Sequence, residues 1–310
     1  MEVDILRAVL SEVDVLGLGE NSVDRVLVVP HLPGSSKAPS KMRVGASIRS
    51  CGGQVATAMA ACASLGLRAA YAGVVGTDDD GRLVRETLTA LGVDVTHLSA
   101  VTNAVTRWAT ILVDAGNGER AVLWDRDDAL AMPAETVAAI DVAAVRLVHV
   151  DDTDLPASLQ LAAAARRAGR LVTTDIDAGR DVMALLQLAT HPILSEHALT
   201  TLSGESDPER GLRALRRQCR GVLAVTLGAH GAMALDGDVL LTAPGIHVAA
   251  VDTTGAGDVF RAGFITALLG GRSLAETLRF ANAAAALSCT RVGAMGGVPT
   301  LADTQALLLN

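Results

Sequence analysis

Hydrophobic runs of strand length recur along the chain and alternate with longer, Ala-rich segments whose hydrophobic positions have helical spacing. The clearest strand-like runs lie at 13–18, 69–75, 145–150, 171–174 and 222–227. The main helical segments lie at 55–65, 82–91, 155–168, 212–219, 256–269, 274–288 and 301–309. Because strands that alternate with helices build βαβ units, this pattern predicts an α/β fold with a mainly parallel central sheet and helices on both faces.

Two pairs of strand-like segments, from about 24–49 and 106–124, depart from this alternation. Each pair flanks a turn-rich stretch, and the Gly and Asn residues within 114–118 suit a hairpin turn. We expect both pairs to be antiparallel strands outside the parallel sheet, forming a small sheet that acts as a lid over a substrate cleft. No linker, low-complexity tract or repeat interrupts the chain, so residues 1–310 are predicted to form a single domain.

The composition narrows the class of function. Aromatic residues make up only 2% of the chain and the net charge is −8, which disfavours nucleic acid as a partner. The four cysteines lack metal-ligand spacing and are expected to be reduced thiols. The N-terminal segment has acidic residues where a signal peptide is basic, and no hydrophobic run is long enough to span a membrane. We therefore expect a cytoplasmic protein that acts on a small metabolite.

The segment Asp-Thr-Thr-Gly-Ala-Gly-Asp at 252–258 is the most informative, since it directly precedes a strongly helical stretch. A helix N-terminus presents unpaired N–H groups, and Gly255 and Gly257 let a ligand approach the backbone closely. Such a site suits a phosphoryl group, and Asp258 beside it can accept a proton from an attacking hydroxyl. The simpler alternative is that these residues only begin the helix, with Asp258 as its N-cap.

This seven-residue pattern and the helix after it resemble the C-terminal signature of the PfkB, or ribokinase-like, family of carbohydrate kinases. The resemblance extends over nearly the whole chain. It implies a three-layer α/β/α domain with a lid and the transfer of a phosphoryl group from ATP to a hydroxyl, and it implies that the substrates are sugars. It also implies that Asp258 is the catalytic base and that the amides of Gly255, Ala256 and Gly257 form the anion hole.

Two segments near the N-terminus are similar to the parts of that family that bind the sugar. Asp24 follows the first strand, and a carboxylate can accept hydrogen bonds from two neighbouring hydroxyls, although Asp24 also fits a solvated loop. The Gly52-Gly53 turn opens a helix, in which Thr57 stands where the family usually has Asn. The resemblance implies that Asp24, Gly52, Gly53 and Thr57 bind the substrate, and the departure at Thr57 bears on which sugar it is.

Two later segments resemble the nucleotide-binding part of the family. Thr226, Gly228 and Gly231 belong to a T-L-G-x-x-G segment, in which the backbone turns beneath the nucleotide. Asn282 lies in an Ala-rich helix that is similar to the one beside the adenine or ribose. The resemblance implies that these four residues bind ATP.

Two metal sites also follow from the resemblance. Mg²⁺ is expected because it bridges the phosphates of ATP and neutralises the charge that develops on them. The family's N-x-x-E pattern is replaced here by Ser195 and Ala198, but Glu196 remains, either to orient water on Mg²⁺ or simply as an acid at a helix start. Backbone carbonyls near Asp252 are implied to bind a monovalent cation such as K⁺.

The substrate is the most open question. The C-terminal part of the chain looks closest to the sulfofructose kinase branch, whose anionic sugar would need a cation from Arg107 or Arg120. The acids in the loop 151–154 favour a neutral ketose or related sugar instead. A nucleoside kinase and a sugar-binding regulatory protein without turnover are the alternatives. The edge strands of the lid favour a homodimer through that sheet, and the resemblance implies the same because family members often pair there.

Overall fold

The computed structural model describes residues 13–34, 40–116, 119–176 and 181–309. In these ranges thirteen strands form two sheets. The strands are β1 (Val13–Leu18), β2 (Ser22–Val29), β3 (Ala46–Gly52), β4 (Ala69–Gly76), β5 (Asp94–Val101), β6 (Trp108–Asp114), β7 (Arg120–Asp125), β8 (Val145–Asp151), β9 (Leu171–Ile176), β10 (His191–Ser195), β11 (Leu223–Thr226), β12 (Ala232–Asp236) and β13 (Val239–Ala243).

The larger sheet has nine strands in the order β13-β12-β11-β10-β9-β8-β1-β4-β5. Its strands are parallel from β11 to β5, and only β12 and β13 run antiparallel to their neighbours. The central strands are buried on both faces, as all eight residues of β4 illustrate, which explains their unbroken hydrophobic runs. Parallel pairing brings the carboxyl ends of β1, β8 and β9 to one edge of the sheet.

Ten α-helices accompany these strands in the described ranges. They are α1 (Gln54–Ser64), α2 (Asp79–Ala90), α3 (Ala134–Ala138), α4 (Leu155–Arg167), α5 (Met183–Leu188), α6 (Glu196–Ser203), α7 (Pro208–Arg216), α8 (Ala256–Leu269), α9 (Leu274–Ser288) and α10 (Leu301–Leu309). Helices α3 to α7 pack with Leu16 and Leu18 on one face of the sheet, while α1, α2 and α8 to α10 pack with Val15 on the other. The predicted three-layer architecture is therefore confirmed. No helix in the described ranges has the length and apolar character that crossing a bilayer requires.

The smaller sheet has the order β3-β2-β6-β7. The pairs β2–β3 and β6–β7 are antiparallel, as predicted, and β2 and β6 join them in parallel through the register Val23↔Trp108. The first pair, predicted to end at about residue 49, extends to Gly52, so that β3 (Ala46–Gly52) leads directly into α1. This shift matters for the site, because it fixes Gly52 by pairing with Ser22 at the start of β2.

The four cysteines are free thiols, as predicted, and Cys51, Cys62 and Cys219 are buried while Cys289 is half-buried.

Candidate active site

Helix α8 begins at Ala256 with Gly255 as its N-cap, in a left-handed conformation with φ 78°. No side chain caps this helix, and Asp258 is its third residue, so the part of the simpler alternative that made Asp258 the N-cap is wrong. The N–H of Ala256 makes a long bond of 3.3 Å to the carbonyl of Thr253. The first turn of α8 thus offers backbone donors to an anion at the positive end of the helix dipole.

The absence of a side-chain cap distinguishes this helix from most others in the described chain. Helices α2, α4, α6, α7 and α9 begin with capping side chains, which are those of Asp78, Asp154, Ser195, Asp207 and Ser273. The two long helices that start from glycine instead are α1, with Gly53, and α8, with Gly255. Both begin beside the predicted site, and no capping side chain occupies their first-turn amides, although the N–H of Ala56 donates to the carbonyl of Glu20 at 3.1 Å.

A cavity of about 530 Å³ opens in front of the first turn of α8. This volume lies in the range of about 300–1,000 Å³ that is typical of sites for small molecules and cofactors. Its walls contain all four residues predicted to bind ATP together with two of the anion hole, namely Thr226, Gly228, Gly231, Asn282, Ala256 and Gly257. The alanines and the valine that also line it leave room for a flat base.

Asn282 supports this cavity through the loop after β13. Both N–H groups of its side-chain amide are used, since Nδ2 donates to the carbonyls of Ala243 and Pro244 at 3.0 Å each. Asn282 is buried, and its side-chain oxygen is the atom left for a ligand. Its main contribution is therefore to hold the cavity wall, which the sequence alone did not indicate.

The predicted sugar-binding residues form a second group where β2 meets β3. The carboxylate of Asp24 is buried and accepts a hydrogen bond of 2.7 Å from Ser22 Oγ. Gly52 lies directly against this carboxylate, because a Cβ at Gly52 would overlap it. Burial raises the pKa of Asp24, while the Ser22 hydrogen bond and the charge of Arg107 oppose that rise.

Gly53 and Thr57 connect this group to the anion hole. Gly53 packs on the backbone of Asn21 and leads into α1, where Thr57 is fully buried. The hydroxyl of Thr57 has no hydrogen-bond partner among the described residues. Its methyl group lies 3.4 Å from the position that a Cβ of Gly255 would occupy. The residues predicted to bind the sugar and the phosphoryl group are therefore brought together.

A smaller cavity of about 30 Å³ lies between the carboxyl ends of β1 and β4 and the small sheet. Arg107 lines it, so this arginine points inward, but its Nε lies 2.7 Å from Oε1 of Glu20. The guanidinium of Arg107 also stacks 5.4 Å from the ring centre of Trp124. Arg126 and Asp154 line the same cavity, where Arg126 donates to the carbonyl of Leu130 at 3.0 Å and Asp154 accepts from the N–H of Met132 at 2.7 Å. The side chain of Arg120 lies outside the described residues.

Three acidic side chains act together on Asp258. Burial raises the pKa of Asp258 well above its ordinary value, and the charges of Asp175, Glu20 and Asp151 raise it further, whereas Arg261 lowers it. Asp175 is the second-last residue of β9, and Asp151 is the last residue of β8. The residues at the ends of parallel strands line the sites of α/β folds, so this rule could have identified Asp151 and Asp175 from the sequence.

Asp151 is held rigidly at the end of its strand. Its carboxylate accepts hydrogen bonds from the backbone N–H of Glu20 at 2.6 Å and of Thr153 at 3.0 Å. A Cβ at Gly19 would overlap it. Burial first, and then the charge of Glu20, raise the pKa of Asp151 well above its ordinary value.

The two predicted metal-binding residues have different surroundings. Glu196 is exposed at the start of α6, which Ser195 caps. Both carboxylate oxygens of Asp252 accept backbone hydrogen bonds of 2.9 Å, one from Thr254 and one from Gly293. Asp252 therefore joins the loop before α8 to the loop after α9. The described residues contain no group of three or more His, Cys, Asp and Glu side chains arranged to hold a metal ion.

Comparison with known proteins agrees with this geometry. The model of the pfkB family carbohydrate kinases matches residues 13–301. The chain is 32% identical over 303 residues to the ATP-dependent ribose-1-phosphate kinase of Halopiger xanaduensis, covering 96% of this chain and 98% of that one. It is 28% identical over 307 residues to the ribokinase of Haemophilus influenzae, with 93% and 95% covered. The structure of Arabidopsis thaliana ribokinase complexed with ribose and ATP matches with a TM-score of 0.83 and 26% identity, covering 96% and 98%.

Proposed function

Since this chain belongs to the pfkB family of carbohydrate kinases and is an ATP-dependent kinase of a sugar or nucleoside, we propose that it phosphorylates a primary hydroxyl of a small neutral sugar or polyol. Family membership confirms the expected ribokinase-like fold and carbohydrate kinase class. The finer assignment rests on one observation, which is the position of Asp258 in the first turn of a helix that has no side-chain cap and opens onto the larger cavity.

In the proposed reaction the sugar lies between the small sheet and the carboxyl edge of the central sheet. Asp24 accepts hydrogen bonds from its hydroxyls, while the amides of Gly255 to Gly257 stabilise the transferring phosphoryl group. Asp258 accepts the proton of the attacking hydroxyl as the new O–P bond forms and the bond to the leaving ADP oxygen breaks. The small sheet acts as a lid that excludes water, which limits hydrolysis of ATP.

ATP fits the larger cavity, which has the volume and the small-residue walls that a nucleotide needs. Mg²⁺ would enter with the ATP phosphates and neutralise the charge that develops on them. Glu196, exposed at the start of α6, is the residue proposed to orient its water ligands. For K⁺, the carboxylate of Asp252 is already bonded to the backbone, so the proposed ligands are carbonyls of the loops that Asp252 joins.

A neutral substrate is favoured over an anionic sugar by the charges at the smaller cavity. Arg107 is the cation that would otherwise bind a sulfonate or phosphate, but Glu20 lies against it at 2.7 Å. The buried carboxylate of Asp24 nearby would repel an anion further. To bind a sugar phosphate, such as the ribose 1-phosphate in the name of the relative from Halopiger xanaduensis, this chain would have to break the Arg107–Glu20 pair.

A coupled assay of ADP release tests the proposal against its alternatives. The panel contains ribose, fructose, other ketoses and polyols, ribose 1-phosphate, sulfofructose and nucleosides. We expect turnover with a neutral sugar, and Asp258→Asn should lower kcat by about 10²–10⁴ with an unchanged melting temperature. A preference for nucleosides would replace the sugar assignment, and sugar binding without ADP release would establish a regulatory protein. Nearly normal turnover by Asp258→Asn would contradict its role as the base.

We also propose that the chain forms a homodimer through the small sheet. Four large hydrophobic side chains of that sheet are exposed, namely Ile48, Val122, Leu123 and Trp124. Together with the edges of β3 and β7, they provide a surface that pairing with a second copy would cover. Light scattering should give twice the mass of the chain, and Leu123→Glu should shift it toward the monomer. A monomer mass for the unmodified protein would reject the dimer.

A further inference from the structure

A buried ion pair lies directly behind the candidate catalytic base. Nη2 of Arg261 is 2.6 Å from Oδ1 of Asp175, and the two residues are 3% and 2% exposed. Arg261 is on α8 and Asp175 is near the end of β9, so the pair connects the helix that carries Asp258 to the edge of the central sheet. The mechanism proposed above uses neither residue.

The helix places Arg261 on the same side as Asp258. The two residues are three positions apart, and side chains with this spacing are neighbours on a helix surface. The guanidinium also lies beneath the anion hole, because Nη1 would be 3.0 Å from a Cβ at Gly257. One cation therefore lies on the helix side that carries Asp258 and close to the residue that precedes it, and its charge acts on Asp258.

The other charged groups around Asp258 are mainly acidic. Asp175 faces it from β9, Asp151 from β8, and Glu20 from the loop after β1. The charge of Glu20 is balanced by Arg107, which lies on the small sheet side. Within the buried layer, the positive charge near Asp258 thus comes from Arg261.

The neighbouring histidine does not add to this positive charge. His149 is fully buried on β8 and its Nδ1 lies 2.9 Å from Thr173 Oγ1. Burial, with a further contribution from the charge of Arg261, lowers the pKa of His149 to about 3. The imidazole is therefore neutral at the pH at which a kinase works.

We propose that Arg261 is a positioning residue for phosphoryl transfer: anchored by Asp175, its guanidinium keeps the carboxylate of Asp258 ionised and aligned beside the amide of Gly257. This inference rests on the proposed role of Asp258 as general base. A base must be deprotonated before it can accept the hydroxyl proton, and three neighbouring acids together with burial favour its protonated form. Arg261 opposes them while remaining out of contact with the substrate.

The test is the pH profile of kcat/KM for the preferred sugar at saturating MgATP. Because the base is active when deprotonated, a higher pKa of Asp258 moves the acid limb of the profile to higher pH. A nearby opposite charge lowers a carboxyl pKa by about 1–3 units, so Arg261→Gln should shift the limb upward by about one unit or more. Asp175→Asn removes the strongest neighbouring negative charge and should shift the limb downward.

Two variants separate charge from structure. Arg261→Lys keeps the charge, so its acid limb should stay close to the unmodified position even if its rate is lower. Arg146→Gln breaks another Arg–Asp contact, that of Arg146 with Asp14 at 3.3 Å, on the opposite edge of β1 and β8. It should leave the profile unchanged. Melting temperatures of all variants show whether each is folded.

The outcomes distinguish the two proposals. Full activity of Asp258→Asn overturns the proposed role of Asp258 as the base, on which this inference rests. If Asp258→Asn is inactive and the profiles of Arg261→Gln and Asp175→Asn superpose on the unmodified one, only the role of Arg261 is overturned. If Arg261→Gln does not fold, the other two variants test the inference. It is supported if the acid limb moves to lower pH in Asp175→Asn and keeps its position in Arg261→Lys. It is rejected if the acid limb of Asp175→Asn does not move.

Discussion

Replacement of Gly255 by alanine tests the anion hole through the geometry of its first residue. Gly255 has φ 78°, a left-handed conformation that costs an alanine about 1–2 kcal/mol. Its new Cβ would also lie 2.9 Å from both Cα and Cβ of Ala294, whereas carbon atoms in contact are normally separated by about 3.5–4.0 Å. The start of α8 or the loop at Ala294 must therefore move by roughly half an ångström or more.

Such a movement displaces the amides that would bind the phosphoryl group. A misplacement on the order of 1 Å can lower a rate about 10²-fold, and loss of one donor from an oxyanion hole lowers it by about 10²–10³. We therefore expect Gly255→Ala to reduce kcat by about 10². Backbone strain and the contact with Ala294 together should reduce the free energy of unfolding by about 2 kcal/mol or more.

The other end of the same helix offers a matched control. Gly271 follows α8 with φ 71°, and a Cβ there would meet no atom within 4 Å. Gly271→Ala therefore carries the same kind of backbone strain without a contact at the site, and should lose stability but keep kcat. The measurements are ADP release at saturating substrates and thermal melting. A Gly255→Ala enzyme with the kcat of Gly271→Ala would refute the reasoning.

Three further predictions concern the sugar, the nucleotide and the cation. Thr57→Val removes a buried hydroxyl without a partner in the described structure, so it should raise the free energy of unfolding by about 1 kcal/mol. If the hydroxyl pairs with the sugar, KM for the sugar also rises about tenfold, whereas Thr277→Val, another buried hydroxyl of this kind, changes stability alone. Asn282→Leu loses two bonds to the loop after β13, so titration should show weaker ATP binding, with KM for ATP rising more than kcat falls. Turnover should be faster in K⁺ than in tetramethylammonium, and equal rates would remove the proposed cation site.

The sequence pattern predicted the bounds of helices and strands best in segments of buried hydrophobic or small residues. The predicted helices 256–269, 274–288 and 301–309 agree with the bounds of α8, α9 and α10. The strand 13–18 also agrees with β1, because a strand buried in a parallel sheet must be hydrophobic along its length. The residues of the Gly-Ala-Gly-Asp turn came together as expected, since their order along the chain is also their order around the helix start.

Strands at the edges and in short connections were harder to identify. The pattern did not single out β5, in which only Leu98 is buried and the other residues of Asp94–Val101 are exposed or half-buried and include several polar side chains. It also did not single out β10, which has only five residues and contains Pro192. Such strands are specified by the neighbours they pair with, and those neighbours are distant in sequence.

The ion pairs of the site could not be predicted from local sequence patterns, for the same physical reason. Arg261 and Asp175 are 86 positions apart, and Arg107 and Glu20 are 87 apart, so each pair exists only after the central sheet has assembled. Each pair places one arginine beside one acid at the carboxyl edge, and both of these acids also act on Asp258. A substitution that removes either arginine should therefore alter the ionisation of the site before it alters the fold, and the pH profile measures that difference directly.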